Sequence, residues 1–310
     1  MIRIIKDETG GQPTGTRKMV RCSLATLAEK LGGRISPGTA GRLLRKLGFS
    51  SRVNVKRFTG PPHPDRDKQF RHIARQRKMF QKAKMPTISV DTKKKELIGD
   101  FRNAGRKWDD QPEQVNAHDF PQDAECRAVP YGIYDTSRNE GHVCVGTSAD
   151  TPQFAVRAIR RWWRSKGARR YPNAKGILIE ADAGGSNGCR PRLWKKELQC
   201  WANEDGLEIT VCHYPRGASK WNPIEHRLFS PISRNWAGHP LRSLDVMLGF
   251  IRGVTTTGGL KVGAVLDRRK YPKGMQVGKH EMAALNIHRH KTCPDWNYTI
   301  KPQNTQLVLG

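Results

Sequence analysis

The chain has 310 residues, 36% of them hydrophobic, which is enough to bury a core and excludes global disorder. Lys and Arg total 56 against 28 Asp and Glu, a formal +28 that a folded surface relieves most simply by binding a polyanion such as nucleic acid. No secretory signal opens the chain, no run of about 18 apolar residues occurs, and no long basic amphipathic helix stands out, so secretion, a membrane span and a membrane-surface role are all disfavoured.

Residues 1–20 read as an irregular polar leader, and residues 21–60 as a helix–turn–helix module. Ser23 caps a first helix carrying Leu24, Leu27, Ala28 and Leu31 at helical spacing, and Gly32-Gly33 break it. Ser36-Pro37 starts a second helix with Ala40, Leu43, Leu44 and Leu47 on its inner face and Gly48 as its stop. Arg42, Arg45 and Lys46 then point outward, where a DNA-reading helix needs phosphate and base contacts. A plain two-helix hairpin is the alternative, and Gly38 and Gly41 weaken the second helix. Residues 50–64 form a basic, Pro-rich linker, and residues 61–85 include a basic linker helix with a thin stripe of Phe70, Ile73 and Phe80.

From residue 86 to 310 the texture is α/β. Thr87 to Val90 is a strand ending in Asp91, and Glu96 to Gly99 begins another. Val129–Tyr134 and His142–Gly146 flank a turn and read as a hairpin. Asp150-Thr151-Pro152 caps a helix running through Trp163 and ending at Gly167. Gly176 to Glu180 is a continuous apolar strand of the kind buried on both faces, and it delivers Asp182 into a Gly-rich loop, 183–188. A helix (Arg192 to Asn203), a strand (Leu207 to Cys212), a basic loop and a helix from Pro223 follow. This order describes a mixed sheet covered by helices.

The seven cysteines (Cys22, Cys126, Cys144, Cys189, Cys200, Cys212, Cys293) contain no C-x-x-C pair, the usage of a reducing cytosol. Cys200, Cys212, His213 and His226 can be drawn as a zinc site, but their spacing fits no standard ligand pattern. Three carboxylates are better placed. Asp91 and Asp182 stand at strand ends, the edge where open α/β sheets build sites, and Glu225 stands in the first turn of a helix. Such a group suits magnesium, a hard ion held by a few carboxylates plus substrate phosphate. Each acid also has a local reading: Asp91 and Asp182 as turn residues, and Glu225 as part of an Asn222-Pro223-Ile224-Glu225 capping box.

The stretch from Ile88 to Gly99 resembles the first-aspartate block of the Rhodopirellula-type DDE transposases of bacterial insertion sequences. So do Val115–Phe120, Ile133-Tyr134-Asp135, Ala181–Gly188, Trp221–Ser230 and Trp296-Asn297-Tyr298. The resemblance runs from about residue 20 to 302. It implies an RNase-H-like α/β catalytic domain over 86–310, with Asp91, Asp182 and Glu225 as catalytic and metal-holding residues for two Mg²⁺, Mn²⁺ able to substitute. It implies strand cleavage and strand transfer at element ends, with the helical module reading the terminal repeats of double-stranded DNA. The setting it implies is the bacterial cytoplasm and nucleoid, with a homo-oligomer as the active complex. On that reading Lys93, Lys94, Lys95, Arg216 and Lys220 hold phosphates, and Asn187 and His226 orient the metal-holding acids.

The sequence departs from the family pattern at Ala183 and Pro223, and at Pro231, which is expected to kink the helix carrying Glu225. The family's additional upstream helical sequence and Pro231 together keep a truncated or catalytically defective DNA-binding remnant as the first alternative. An RNase-H-like metal-dependent nuclease without a joining step is the second.

Overall fold

The computed structural model describes residues 9–10, 19–20, 22–52 and 63–303, in two compact units that divide after Thr59. Most of the expected leader over 1–20, and of the basic linker over 50–64 with Lys56 and Arg57, lies outside the described residues. What is described of the leader pairs: β1 (Thr9–Gly10) lies antiparallel to β2 (Met19–Val20).

In the first unit, α1 (Leu24–Lys30) and α2 (Pro37–Lys46) begin at side-chain caps. Ser23 Oγ accepts from the Thr26 N–H at 3.0 Å and Ser36 Oγ from the Thr39 N–H at 3.2 Å. Gly32, Gly33 and Gly48 take positive φ at the two helix ends. Leu27, Ala28 and Ala40 form the centre of this small core. The expected inner face is corrected at Leu43 and Leu47, which are exposed, because two short helices bury only the stripe they share. Gly41 sits on that stripe: a Cβ there would lie 3.1 Å from Leu24 Cδ1, so the glycine permits close approach at some cost in helix propensity. Arg42, Arg45 and Lys46 are exposed on α2.

The second unit contains, in order, α3 (Arg66–Lys82), β3 (Thr87–Thr92), β4 (Glu96–Ile98), β5 (Cys126–Asp135), β6 (Glu140–Gly146), α4 (Pro152–Trp162) and α5 (Ala168–Arg170). Then come β7 (Gly176–Ala181), α6 (Arg192–Asp205), β8 (Glu208–His213), α7 (Ser230–Asn235), α8 (Leu244–Arg252), β9 (Lys261–Asp267), α9 (Lys279–Ala283), β10 (Ile287–Arg289) and β11 (Asn297–Ile300). Among the described residues these strands form one nine-stranded sheet in the order β10-β11-β8-β7-β3-β5-β6-β9, with β4 beside β5. β5 lies between β3 and β6 and is antiparallel to both, whereas β7 and β8 run parallel to β3. This mixed sheet flanked by helices is RNase-H-like.

Helices α4 and α6 cover one face through Phe154, Ile159, Trp162, Trp194, Leu198 and Trp201, packed on Ile88, Val90, Ile177 and Ile179. On the other face α7 and α8 cover Tyr134, Val143 and Val145, while α3 covers Leu178 and Cys212 through Ile73 and Phe80. The helix expected to be a linker is therefore corrected: α3 is a covering helix of the sheet. Its attachment is polar as much as apolar. Gln69 and Asn297 exchange side-chain hydrogen bonds at 2.8 and 2.6 Å, and Arg77 forms a bidentate pair with Glu180 on β7. An apolar-stripe reading has no means of weighing such contacts.

Two helix ends also differ from expectation. The chain does not stop at Gly167 but passes through a π-turn, Trp163–Gly167, into α5; a Cβ on Gly167 would lie 2.5 Å from the Trp163 ring, so this glycine makes room for the indole. The segment after Pro223 is likewise a π-turn, Glu225–Phe229, leading into α7. Its wide hydrogen bond runs from the Ser230 N–H to the Glu225 carbonyl and closes one residue before Pro231, which then occupies the first turn of α7 where proline is tolerated. The kink expected at Pro231 is replaced by this turn.

Candidate active site

β3 and β7 are parallel neighbours with Val90 opposite Ala181, so the residues that follow, Asp91 and Asp182, stand side by side at the carboxyl edge of the sheet. Asp91 is still within β3, opposite Gly132 of β5, and its Oδ1 accepts from the Thr92 N–H at 2.8 Å. Asp182 lies one residue beyond β7, whose six residues are all buried.

Asn222 connects the third acid to this pair. Its Nδ2 donates to Asp182 Oδ1 at 3.0 Å, and its Oδ1 accepts from the Ser89 hydroxyl. Ser89 Oγ in turn accepts from the Ile224 N–H at 3.1 Å. Ser89 and Asn222 are both fully buried, so this network ties the segment carrying Glu225 to the middle of β3. The Asn222 side chain is spent on Asp182 rather than on a helix cap, which removes the capping-box reading of Glu225.

Gly132 makes the approach possible from below. A Cβ there would lie 2.5 Å from the Phe229 ring and 2.9 Å from Ile224 Cδ1, the residues that bracket Glu225. Gly132→Val is therefore expected to destabilise the fold by about 1–3 kcal/mol through overpacking and to displace Glu225 from the aspartates. Thermal melts and metal-dependent activity together check this; a variant with normal stability and normal activity would remove Gly132 from the account.

Three negative groups in one partly buried place hold their protons abnormally. Burial, and next the charge of Asp182, push the Asp91 carboxyl up to about 8, with Glu225 and Asp150 adding smaller repulsions against the opposing Thr92 hydrogen bond. Burial raises Asp182, partly offset by the Asn222 hydrogen bond, and burial followed by Asp182 raises Glu225. Neither Asp91 nor Asp182 has a salt bridge among the described residues, so the negative charge is uncompensated from within.

The other expected residues divide. Lys94 and Lys95 are exposed and line the same cleft as Asp91 and Asp182, a cleft of about 710 Å³. Lys93 also lines it but is 9% exposed, paired to Glu96 Oε1 at 3.0 Å and stacked on the Trp236 ring, so its expected hold on phosphate is corrected. Arg216 and Lys220 are exposed on the loop before Glu225 and, like Glu225, are not among the residues that line this cleft. His226 bonds the Lys220 carbonyl at 2.5 Å and Asn187 is buried with neither amide atom hydrogen-bonded, so neither makes the expected contact with an acid.

Sequence reading missed the group that does make that contact, Asn222, because Asn three residues before Glu also reads as a cap. It also missed His213, whose Nδ1 donates to the Asp182 carbonyl at 3.0 Å, and Asp150, which accepts from Thr92 Oγ1 at 3.2 Å and lines the cleft.

Among the described residues no group of three or more His, Cys, Asp or Glu side chains is gathered tightly enough to hold an ion alone. Two adjacent carboxylates without an internal counterion, both above their ordinary proton affinity, nonetheless fit a hard cation that completes its shell with water and phosphate oxygen.

An RNase-H-like sheet with carboxylates at the carboxyl edge of neighbouring parallel strands defines the class of the molecule. Residues 1–302 match the Rhodopirellula transposase DDE domain, and the chain belongs to that family. Among solved structures it is similar to a Mos1 transposase paired-end complex with left transposon end (13% identity over 73% of this chain and 64% of that one, TM-score 0.43). It is also similar to a pre-cleavage Mos1 transpososome (12% identity over 73% and 64%, TM-score 0.42) and to a Mos1 mariner paired end complex with Mn (14% over 73% and 64%, TM-score 0.41). The chain thus spans 64% of the length of those proteins. No curated protein sequence matches it significantly. No helix among the described residues is long and apolar enough to cross a membrane.

Proposed function

We propose that the protein is a DNA transposase that cleaves and joins strands at the ends of an insertion sequence in a metal-dependent reaction. The observation that carries this reading is the side-by-side placement of Asp91 and Asp182, with Asn222 holding Asp182 and leading directly into Glu225. Asp91 and Asp182 would hold Mg²⁺ or Mn²⁺, with Glu225 completing the set. Bound there, divalent ions would supply Lewis-acid stabilisation of the attacking and leaving oxygens of an in-line phosphoryl transfer.

The chain's own residues do the rest. Asn222 fixes the Asp182 carboxylate, the His213 bond fixes the Asp182 backbone, and Lys94 and Lys95 neutralise phosphates entering the cleft. Arg216 and Lys220 extend that grip beside Glu225. Arg42, Arg45 and Lys46 on α2 would contact the terminal repeats of the element. A homo-oligomer acting on paired element ends, in the bacterial cytoplasm at the nucleoid, completes the reading.

The test is strand transfer of a labelled duplex from the end of the encoding element into plasmid DNA, with Mg²⁺ or Mn²⁺, for the wild type and Asp182→Asn. Joined product from the wild type that disappears in the variant is expected. Binding without cleavage would leave a DNA-binding remnant, and cleavage without joining would leave a nuclease; either result overturns the proposal.

A further inference from the structure

Beside the acidic cleft lies a basic trough that no step above uses. Asp150 and Gly185 line both the acidic cleft and a second cleft of about 530 Å³, and Pro272 lines both that second cleft and a third of about 860 Å³. The three are therefore contiguous from the carboxylates outward. The far cleft is lined by Arg157, Arg160, Arg161 and Arg164 from α4 and the turn after it, and by Arg269 and Lys270 beyond β9.

The arginines recur at the i, i+3, i+4, i+7 spacing that places side chains on one helix face. Like charges so arranged repel. Local acids offset part of this: Glu204 pairs with Arg160 and Arg164, Asp205 with Arg164 at 2.6 Å, and Asp267 lies 4.0 Å from Arg157. Arg161 spends one nitrogen on the Leu266 carbonyl, and Arg161, Arg269 and Lys270 have no carboxylate partner among the described residues. A concave surface with unpaired cations focuses positive potential on whatever lies in it.

We propose that this trough is a track for the phosphate backbone of duplex DNA continuing past the scissile bond. The proposal rests on the transposase reading and gives that site's substrate a direction. Dimensions support it. At 1.5 Å rise per residue, Arg157 and Arg164 stand about 8 and about 18 Å along the axis from Pro152, the first residue of α4, which lines the second cleft beside Asp150. With phosphates spaced about 3.4 Å along one strand, the roughly 10 Å of helix from Arg157 to Arg164 spans about three nucleotides of backbone. The duplex in the trough is either DNA flanking the element, during cleavage, or target DNA, during joining; the chemistry of recognition is the same.

The test is the triple variant Arg157→Gln/Arg269→Gln/Lys270→Gln, whose changes lie on an exposed face. Binding is measured against salt for three duplexes: an element end stopping at the cleavage site, the same end extended by about ten flanking base pairs, and an unrelated target duplex. Losing three phosphate contacts is expected to make the salt slope shallower by about 2–3 units for the duplex that occupies the trough, and to leave the end lacking flank unchanged. Loss confined to the flanked end assigns the trough to flanking DNA, and loss confined to the target assigns it to target DNA.

Unchanged slopes for all three duplexes overturn the proposal, as does a loss seen equally with the end that lacks flank. Should the triple variant melt early, Arg269→Gln/Lys270→Gln, outside any helix, is measured instead, with an expected change of about 2 units. Because binding is read without cleavage, an inactive protein with the expected slopes would sink only the transposase reading. An active one with unchanged slopes would sink only the trough.

Discussion

Asp91→Asn is expected to make the metal-free protein more stable while abolishing its chemistry. Folded Asp91 keeps its proton up to about pH 8, whereas in the unfolded chain it releases it near the ordinary value of 3.8. Between those values the folded state binds more protons, so stability is full below about pH 4 and is lost as the pH rises toward 8. At about 1.36 kcal/mol per unit, the charged site costs on the order of several kcal/mol near pH 8. The neutral amide removes that cost and still accepts the Thr92 N–H.

With roughly 2–4 °C per kcal/mol for a unit of this size, a rise in Tm of about 10 °C or more at pH 8 is expected. The downward trend of Tm between about pH 6.5 and 8 should flatten as well. Millimolar Mg²⁺ should raise the wild-type Tm and leave the variant unmoved, because the ion binds only the folded carboxylate pair. Joining should fall by about 10³-fold or more, the several kcal/mol that metal-assisted stabilisation supplies. A variant with wild-type Tm and an intact Mg²⁺ response would show that Asp91 and Asp182 are not electrostatically linked.

Arg77→Met carries the largest expected loss of stability. Glu180 is fully buried near the carboxyl end of β7 and receives Arg77 Nε at 2.8 Å, Arg77 Nη2 at 2.5 Å and the Tyr214 hydroxyl at 2.9 Å. Removing the guanidinium leaves a buried carboxylate with one neutral donor, a cost of about 3–5 kcal/mol. The double variant Arg77→Met/Glu180→Leu should recover most of it, because a buried pair replaced by apolar groups of similar volume is often nearly neutral. Denaturant melts of the two single variants and the double variant measure this directly. A loss below about 1 kcal/mol in Arg77→Met would mean that α3 is held by its apolar contacts and the Gln69–Asn297 pair instead. Since Glu180 lies on β7 two residues before Asp182, which follows the strand directly, the single variant should also weaken the Mg²⁺-dependent rise in Tm.

Much of the architecture was legible in the chain itself because its causes are local. Ser23, Ser36 and Thr151 cap the helices that follow them, and Gly206 ends α6 at φ 65°. The run Gly176 to Ile179 is apolar because both faces of β7 are covered. Strand ends at Asp91 and Asp182 follow from such patterns, and with the family resemblance they pointed to the edge of the sheet where the acids lie.

Only the tertiary structure decided which residues meet. The parallel register that sets Val90 against Ala181 pairs residues far apart in the chain, and no local periodicity encodes it. The same holds for Asn222, whose partners Ser89 and Asp182 come from two different strands, and for α3, whose polar contacts make it part of the sheet's cover. Lys93 shows the converse: its position beside Asp91 marked it as a phosphate ligand, but the fold surrounds it with Glu96 and Trp236. Caps, turns and burial periods act over a few residues and can be read in order. Register, buried hydrogen-bond networks and the fate of a charged side chain depend on neighbours brought together only when the sheet closes.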